Sequence, residues 1–174
     1  MKIFTAIISV LAACCLFSSC KTYSIGSDLP AEQKKIAVEI ENLTQENRLT
    51  ALVKSSVDRR LDGVPGIDVV NCQEKAGLTV TVKLNNLDQS RLASAKTREQ
   101  NDRSTDGDAY QSVLFRQTLK ATWTATAKDG TARTGEVEAV ADVPRMNNAE
   151  LGQGNALKEL ARDLAHKVAE ALLQ

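Results

Sequence analysis

Between Lys34 and Glu41 the chain alternates with period two, with Ile36, Val38 and Ile40 on one side and Lys35, Glu39 and Glu41, with Ala37, on the other. A period of two is the mark of a strand with one buried face. Asn42-Leu43-Thr44 turns the chain, and Thr44 is placed to cap a helix over Gln45–Asp62. There the period changes. Leu49, Leu52, Val53, Ser56, Val57 and Leu61 recur at helical spacing, while Lys54, Asp58 and Arg59 fall on other faces. Gly63-Val64-Pro65-Gly66 ends the helix.

Two further strands are expected over Ile67–Cys72 and Leu78–Leu87, the second with Leu78, Val80, Val82 and Leu84 on one face. Residues 94–108, SAKTREQNDRSTDGD, hold a single aliphatic side chain, Ala95, and read as a long mobile loop. Alternation returns from Tyr110 to Ala127. Val113, Phe115, Leu119, Ala121, Trp123 and Ala125 share a face with Gln117, and Val137, Ala139, Ala141 and Val143 share one on the next strand. Asp129-Gly130 suggests a two-residue hairpin turn. That turn would set Leu119 opposite Val140 and point the two apolar stripes apart. A three-residue loop, Lys128-Asp129-Gly130, pairs Ala121 with Val137, Leu119 with Ala139 and Phe115 with Val143, bringing both stripes to one core. The three-residue loop is therefore expected, with Gly130 in the left-handed conformation.

The chain closes on a helix over Asn155–Leu173, with Leu157, Leu160, Ala161, Leu164, Val168 and Leu172 as its stripe. Strand, helix, several strands, helix predicts an α+β two-layer sandwich: a mixed, mostly antiparallel sheet of four to five strands with two helices on one face. The first strand–helix–strand unit suits a parallel crossover and the later strands antiparallel hairpins.

The N-terminus is an address. Lys2 precedes an apolar run, Ile3 to Phe17, too short for the roughly 20 residues that cross a bilayer. A basic start, a short apolar core and small residues describe an export signal. Ser18-Ser19-Cys20 at its end matches a bacterial lipobox, in which the cysteine receives lipid and becomes the first mature residue. Leu11-Ala12-Ala13-Cys14 is a competing string that would strand Cys15, Leu16 and Phe17 on the mature protein. Residues 1–19 are thus read as the signal, 20–33 as a polar tether and 34–174 as one domain. Several acyl chains on Cys20 would hold the protein firmly to a membrane, where one chain would not.

With 22 basic and 22 acidic side chains the charge is balanced, which excludes a general nucleic-acid binder. Cys14 and Cys15 leave with the signal and Cys20 carries lipid, so Cys72 stands alone without a disulfide partner and is expected buried in a strand. His166, the single histidine, lies off the stripe of the last helix as an exposed residue. No zinc set, phosphate-cradling glycine loop or paired catalytic carboxylates can be drawn from the sequence, so neither enzyme activity nor a cofactor is expected. Asp102-Arg103-Ser104-Thr105-Asp106-Gly107 imitates the start of a calcium loop, but its twelfth position is Val113 and not glutamate. The remaining candidate surface is the polar sheet face. Lys83, Arg116 and Lys120 stand there among threonines as candidate contacts for an anionic glycolipid.

The mature start CKTYSIG, the strand and turn KKIAVEIENLTQENRL and the closing ELARDLAHKVAEALL together resemble the lipopolysaccharide-assembly lipoprotein family, LptE-like. In that family a lipidated cysteine is soon followed by a tyrosine and often a glycine, here Cys20, Tyr23 and Gly26; Lys21 stands where glycine is common. The resemblance implies an outer-membrane protein, lipid-anchored at the periplasmic face. Its implied role is non-enzymatic: to help assemble and to plug an LptD-like β-barrel translocon and to contact lipopolysaccharide. Only Cys20 carries over as a site. Lipoproteins that regulate peptidoglycan synthases or build secretion pores share the IAV strand before a helix and form the alternative.

Overall fold

The computed structural model describes residues 29–97, 109–144 and 149–173. The alternating segment becomes β1 (Lys35–Asn42), followed by α1 (Arg48–Asp62), β2 (Asp68–Val69), β3 (Leu78–Thr97), β4 (Ala109–Ala127), β5 (Ala132–Pro144) and α2 (Ala149–Leu173). Short 3-10 turns at Ala31–Gln33 and Gln73–Lys75 precede β1 and β3. The strand order is β2-β1-β3-β4-β5. β1 pairs in parallel with β2 and β3, and β3–β4 and β4–β5 are antiparallel. The α+β sandwich expected from the periodicities is the architecture found: a five-stranded mixed sheet with two helices.

The core forms where the stripes meet. Ile36, Val80, Val82, Leu84 and Leu119 on the sheet and Leu49, Val53, Val57, Leu61, Leu157, Leu160, Leu164, Val168 and Leu172 on the helices are completely buried. Each such side chain stabilises by about 2 kcal/mol relative to exposure. Alanines 156, 161, 165 and 169 of α2 are buried beside its leucines, so small side chains line much of that helix's inner surface.

Each helix also clasps one margin of the sheet. Lys54 of α1 donates to the Val38 carbonyl at 3.1 Å while paired with Asp58 one turn on. Lys167 of α2 donates to the Glu138 carbonyl at 2.7 Å while paired with Asp163, and Asp163 accepts the Val140 amide. These are backbone groups that an edge strand would otherwise offer to another chain. Where the two strands lack a neighbour, lysine and aspartate stand in for one.

The β4–β5 hairpin has the three-residue loop. Ala121 faces Val137, Leu119 faces Ala139 and Phe115 faces Val143. Gly130 has φ +85°, and its amide donates to the Ala127 carbonyl at 3.0 Å. Further along, Trp123 faces Gly135, where an added Cβ would lie 2.7 Å from the indole nitrogen. Glycine leaves room for the ring.

Four expectations need correction. Thr44 does not cap the helix, which begins at Arg48 with Asn47 in the cap position and no side-chain cap bond. The Thr44 hydroxyl donates to Asn42 Oδ1 at 2.7 Å and accepts the Glu46 amide at 3.3 Å, ahead of the helix, while the Glu46 carboxylate accepts the Arg48 amide at 3.3 Å. Cys72 is exposed, not buried. β2 stops at Val69 and the chain leaves the sheet before the Gln73–Lys75 turn, so Cys72 has no strand to be buried in. β3 does not end at Leu87 but runs to Thr97, pairing with β4 as far as Ala109. A register shift between Leu84 and Asn86 makes Asn85 an extra residue, so that Leu87, three positions after Leu84, still faces Leu119. Residues 94–97, expected in a loop, are strand; 98–108, with the calcium-like string, lie outside the described residues. Finally, the end of the polar tether is part of the body, because Leu29 is buried in the core cluster. Residues 1–28, including Cys14 and Cys20, lie outside the described residues.

Candidate functional site

β1, β3, β4 and β5 present their second set of side chains on the face away from the helices. Threonines 81, 118, 122 and 124 stand there, with Asn85 Nδ2 donating to Thr122 Oγ1 at 2.8 Å and Thr124 bonded to Thr134 at 3.4 Å. Lys83, Arg116 and Lys120 share this surface, as the strand parity implied. They are not equivalent. Lys83 faces Glu41 across the β1–β3 ladder and pairs with it at 3.0 Å. Arg116 faces Asp142 across the β4–β5 ladder, and the two form a fork of hydrogen bonds at 2.8 and 2.9 Å. That fork holds the Asp142 carboxyl below the usual carboxylate range and raises the Arg116 guanidinium above its own. Lys120 sits in register with Glu138 and Asn86, yet among the described residues it makes no ion pair. Two of the three cations are therefore answered by a carboxylate on the neighbouring strand. The face is polar and hydrogen-bonding, and Glu39, Glu136 and Glu138 stand in register on it beside Glu41 and Asp142, so that its cations are outnumbered by carboxylates.

A different cationic group lies on the other side of the molecule. Where α1 and α2 run together, a cleft of about 450 Å³ is lined by Ser56, Arg59, Arg60, Arg162 and His166. His166 is exposed, as expected, but not isolated: Arg60 Nη2 lies 3.2 Å from its Nδ1. A guanidinium can only donate, so in this contact Nδ1 is the acceptor. Glu170, one turn on, comes within 4.0 Å of His166 Nε2. The arginines fell off the apolar stripes in sequence and so read as ordinary solvated positions. Their convergence depends on how the two helices pack, which no periodicity states.

Two other hollows are simpler. One of about 240 Å³ lies where Leu29, Pro30 and Gln33 meet Leu78, Ala127 and Leu172. The other, about 400 Å³, is an open groove beside Lys120, between Asn85 and Glu138. Buried polar chemistry is sparse: Gln117 lies on the helix-covered face, its Nε2 3.5 Å from Gln89 Oε1, while its own Oε1 has no partner among the described residues. No three of the described histidine, cysteine, aspartate and glutamate side chains come together as a metal site. No helix of the described residues is long and apolar enough to cross a membrane.

No protein-family model matches the chain, and no curated protein matches it. Solved structures do. A minor lipoprotein from Acinetobacter baumannii aligns over 80% of this chain and 92% of its own, at 12% identity and a TM-score of 0.50. Lipoprotein B from Nitrosomonas europaea aligns over 85% of this chain and 90% of its own, at 13% identity and a TM-score of 0.50. At such identities the likeness is one of fold alone.

Proposed function

We propose that this chain is a lipid-anchored lipoprotein of the bacterial outer membrane. It works without catalysis, helping to assemble a β-barrel lipopolysaccharide translocon and filling its lumen. The observation that supports this reading is the joining of a leader ending in Ser18-Ser19-Cys20 to a sandwich whose fold recurs in two bacterial lipoproteins. Cys20 takes the lipid, and Lys21 lacks the acidic character of the aspartate that commonly signals inner-membrane retention. The open sheet face meets the barrel wall or the glycolipid. Exposed ion pairs add little stability, so Lys83 and Arg116 can exchange Glu41 and Asp142 for a glycolipid phosphate at little cost.

Purification of the full chain from detergent-solubilised envelope tests the reading. A large β-barrel that co-purifies is the expected result; a peptidoglycan synthase or a ring of identical subunits would replace it with the alternative. Mass spectrometry of the mature N-terminus should find acyl chains on Cys20, and acylation at Cys14 would overturn that assignment. Lys83→Glu, Arg116→Glu and Lys120→Glu together should weaken lipopolysaccharide binding sharply while leaving thermal unfolding nearly unchanged. Binding that survives the triple change would remove the sheet face as the site.

A further inference from the structure

The cleft between α1 and α2 has an unusual charge balance. Three guanidinium groups and an imidazole line it, with Ser56, and no carboxylate is among the lining residues. Elsewhere five described cations, Arg48, Lys54, Lys83, Arg116 and Lys167, each lie within 3.1 Å of a carboxylate oxygen. In the cleft, Arg60 is oriented by His166, which in either protonation state supplies no negative charge. Arg59 and Arg162 form no ion pair or side-chain hydrogen bond with any described residue. Asp62 and Glu159, each one turn away along its own helix, do not close onto them. The nearest acid to the histidine, Glu170, stands off at 4.0 Å.

Like charges gathered in a concave site repel one another and focus a positive potential into it. The arrangement lowers its energy when an anion enters. Guanidinium forks match the oxygens of phosphate two at a time, and several of them converge best on a group carrying more than one negative charge. The cleft is also wide enough for a diphosphate together with water. We propose that this interhelical cleft binds a phosphate-bearing ligand through Arg59, Arg60 and Arg162, with His166 holding Arg60 in place.

The site lies on the helical layer, opposite the polar sheet face, and does not depend on the translocon reading. Its ligand chemistry, a phosphomonoester or diphosphate, is shared by soluble phosphates and by anionic lipid headgroups. The two sources separate experimentally.

The full chain in non-ionic detergent micelles is titrated calorimetrically with inorganic pyrophosphate and, in a second arm, with mixed micelles containing phosphatidic acid. Saturable binding in either arm is expected. Pyrophosphate alone sufficing points to a soluble ligand, and a response confined to the lipid micelles points to a headgroup. Arg59→Glu with Arg162→Glu should reduce the affinity at least tenfold. Lys75→Glu with Lys128→Glu, a reversal of equal charge in the loops outside the cleft, should change it less than twofold. Arg59→Lys with Arg162→Lys should retain an intermediate affinity, since charge remains and the planar fork is lost. If the glutamate variant does not fold, Arg59→Gln with Arg162→Gln serves in its place and should lose binding by a similar factor. Absence of saturation in both arms overturns the proposal. So does binding that survives the cleft substitutions, or saturation by a glutamate-rich peptide in preference to either phosphate probe.

Discussion

The open sheet face and the interhelical cleft each gather three cations, and they treat them differently. On the face, Arg116 and Lys83 sit opposite Asp142 and Glu41 in the strand ladders, and each pair closes at 2.8–3.0 Å. In the cleft, Arg59 and Arg162 have no such partner, and the histidine beside Arg60 brings no negative charge. A count of basic residues would rank the two surfaces alike. What separates them is where the counter-charges stand, which a β-ladder fixes residue by residue and a helix crossing leaves open. A face whose cations stand beside carboxylates offers little positive potential to an approaching anion, whereas the unpaired cleft presents its full charge.

Several substitutions would break or sharpen that contrast. The largest effect is expected at the support of the cleft. Leu164, completely buried on α2, should cost about 3 kcal/mol as Leu164→Ala, read from urea unfolding. Such a loss would show that the helix pair bounding the cleft is held by its apolar underside. A change below about 1 kcal/mol would mean that the helices are docked by something else.

Next comes the hairpin that sets the pairing on the face. The loop Lys128-Asp129-Gly130 is what brings Arg116 opposite Asp142 rather than opposite Val143. Gly130→Val should destabilise by about 1 kcal/mol or more, because a β-branched residue resists φ +85°. No neighbouring atom lies within 4 Å of an added Cβ, so the cost is one of backbone alone. Gly130→Asn should accordingly be far milder, since asparagine tolerates the left-handed region. Equal losses for both would argue against that cause.

Glu41→Gln with Asp142→Asn should leave the thermal midpoint nearly unmoved while freeing Lys83 and Arg116. If pairing is what quiets the face, pyrophosphate affinity at that surface should rise a few-fold. No gain would mean that the face lacks the geometry for phosphate whatever its charge.

The smallest effect is a titration. Hydrogen bonds from Arg116 depress the Asp142 carboxyl in the folded state. Its contribution to stability is therefore present above the unfolded-state value and fades as pH falls through the folded one. Carboxyl chemical shifts followed against pH should place Asp142 below the ordinary aspartate range, and Arg116→Ala should return it there. An Asp142 that titrates normally with Arg116 in place would mean that the fork is not populated in solution.

Much of this was legible beforehand, for reasons that differ from element to element. The parity of Leu119, Ala121 and Val137 was enough to choose the loop length, because a one-residue slip would turn an entire stripe to solvent. The same arithmetic sets Arg116 opposite Asp142, so the balance on the sheet face was implicit in a register already argued. Leu84 and Leu87, spaced by three, held the trace of a bulge that an unbroken alternation hides. Cys72 misled because its burial was inferred for a strand that ends at Val69. Thr44 misled because the helix begins only at Arg48, so the Glu46 amide that its hydroxyl accepts lies ahead of the first turn.

The sequence by itself determined the helices, the strands, the apolar side of each and, through the hairpin parity, one ladder register. These follow from local periodicity, since burial on one face imposes a repeat along the chain. Only the tertiary structure decided that β2 is a two-residue edge, that Lys54 and Lys167 clasp the sheet margins, and that Arg59 and Arg60 meet Arg162 and His166. Those residues are separated by about a hundred positions and lie on the polar sides of their helices, where no pattern of burial constrains them. The rotation of α1 against α2 brings them together, and that rotation is fixed by the leucines and alanines beneath, not by the arginines themselves.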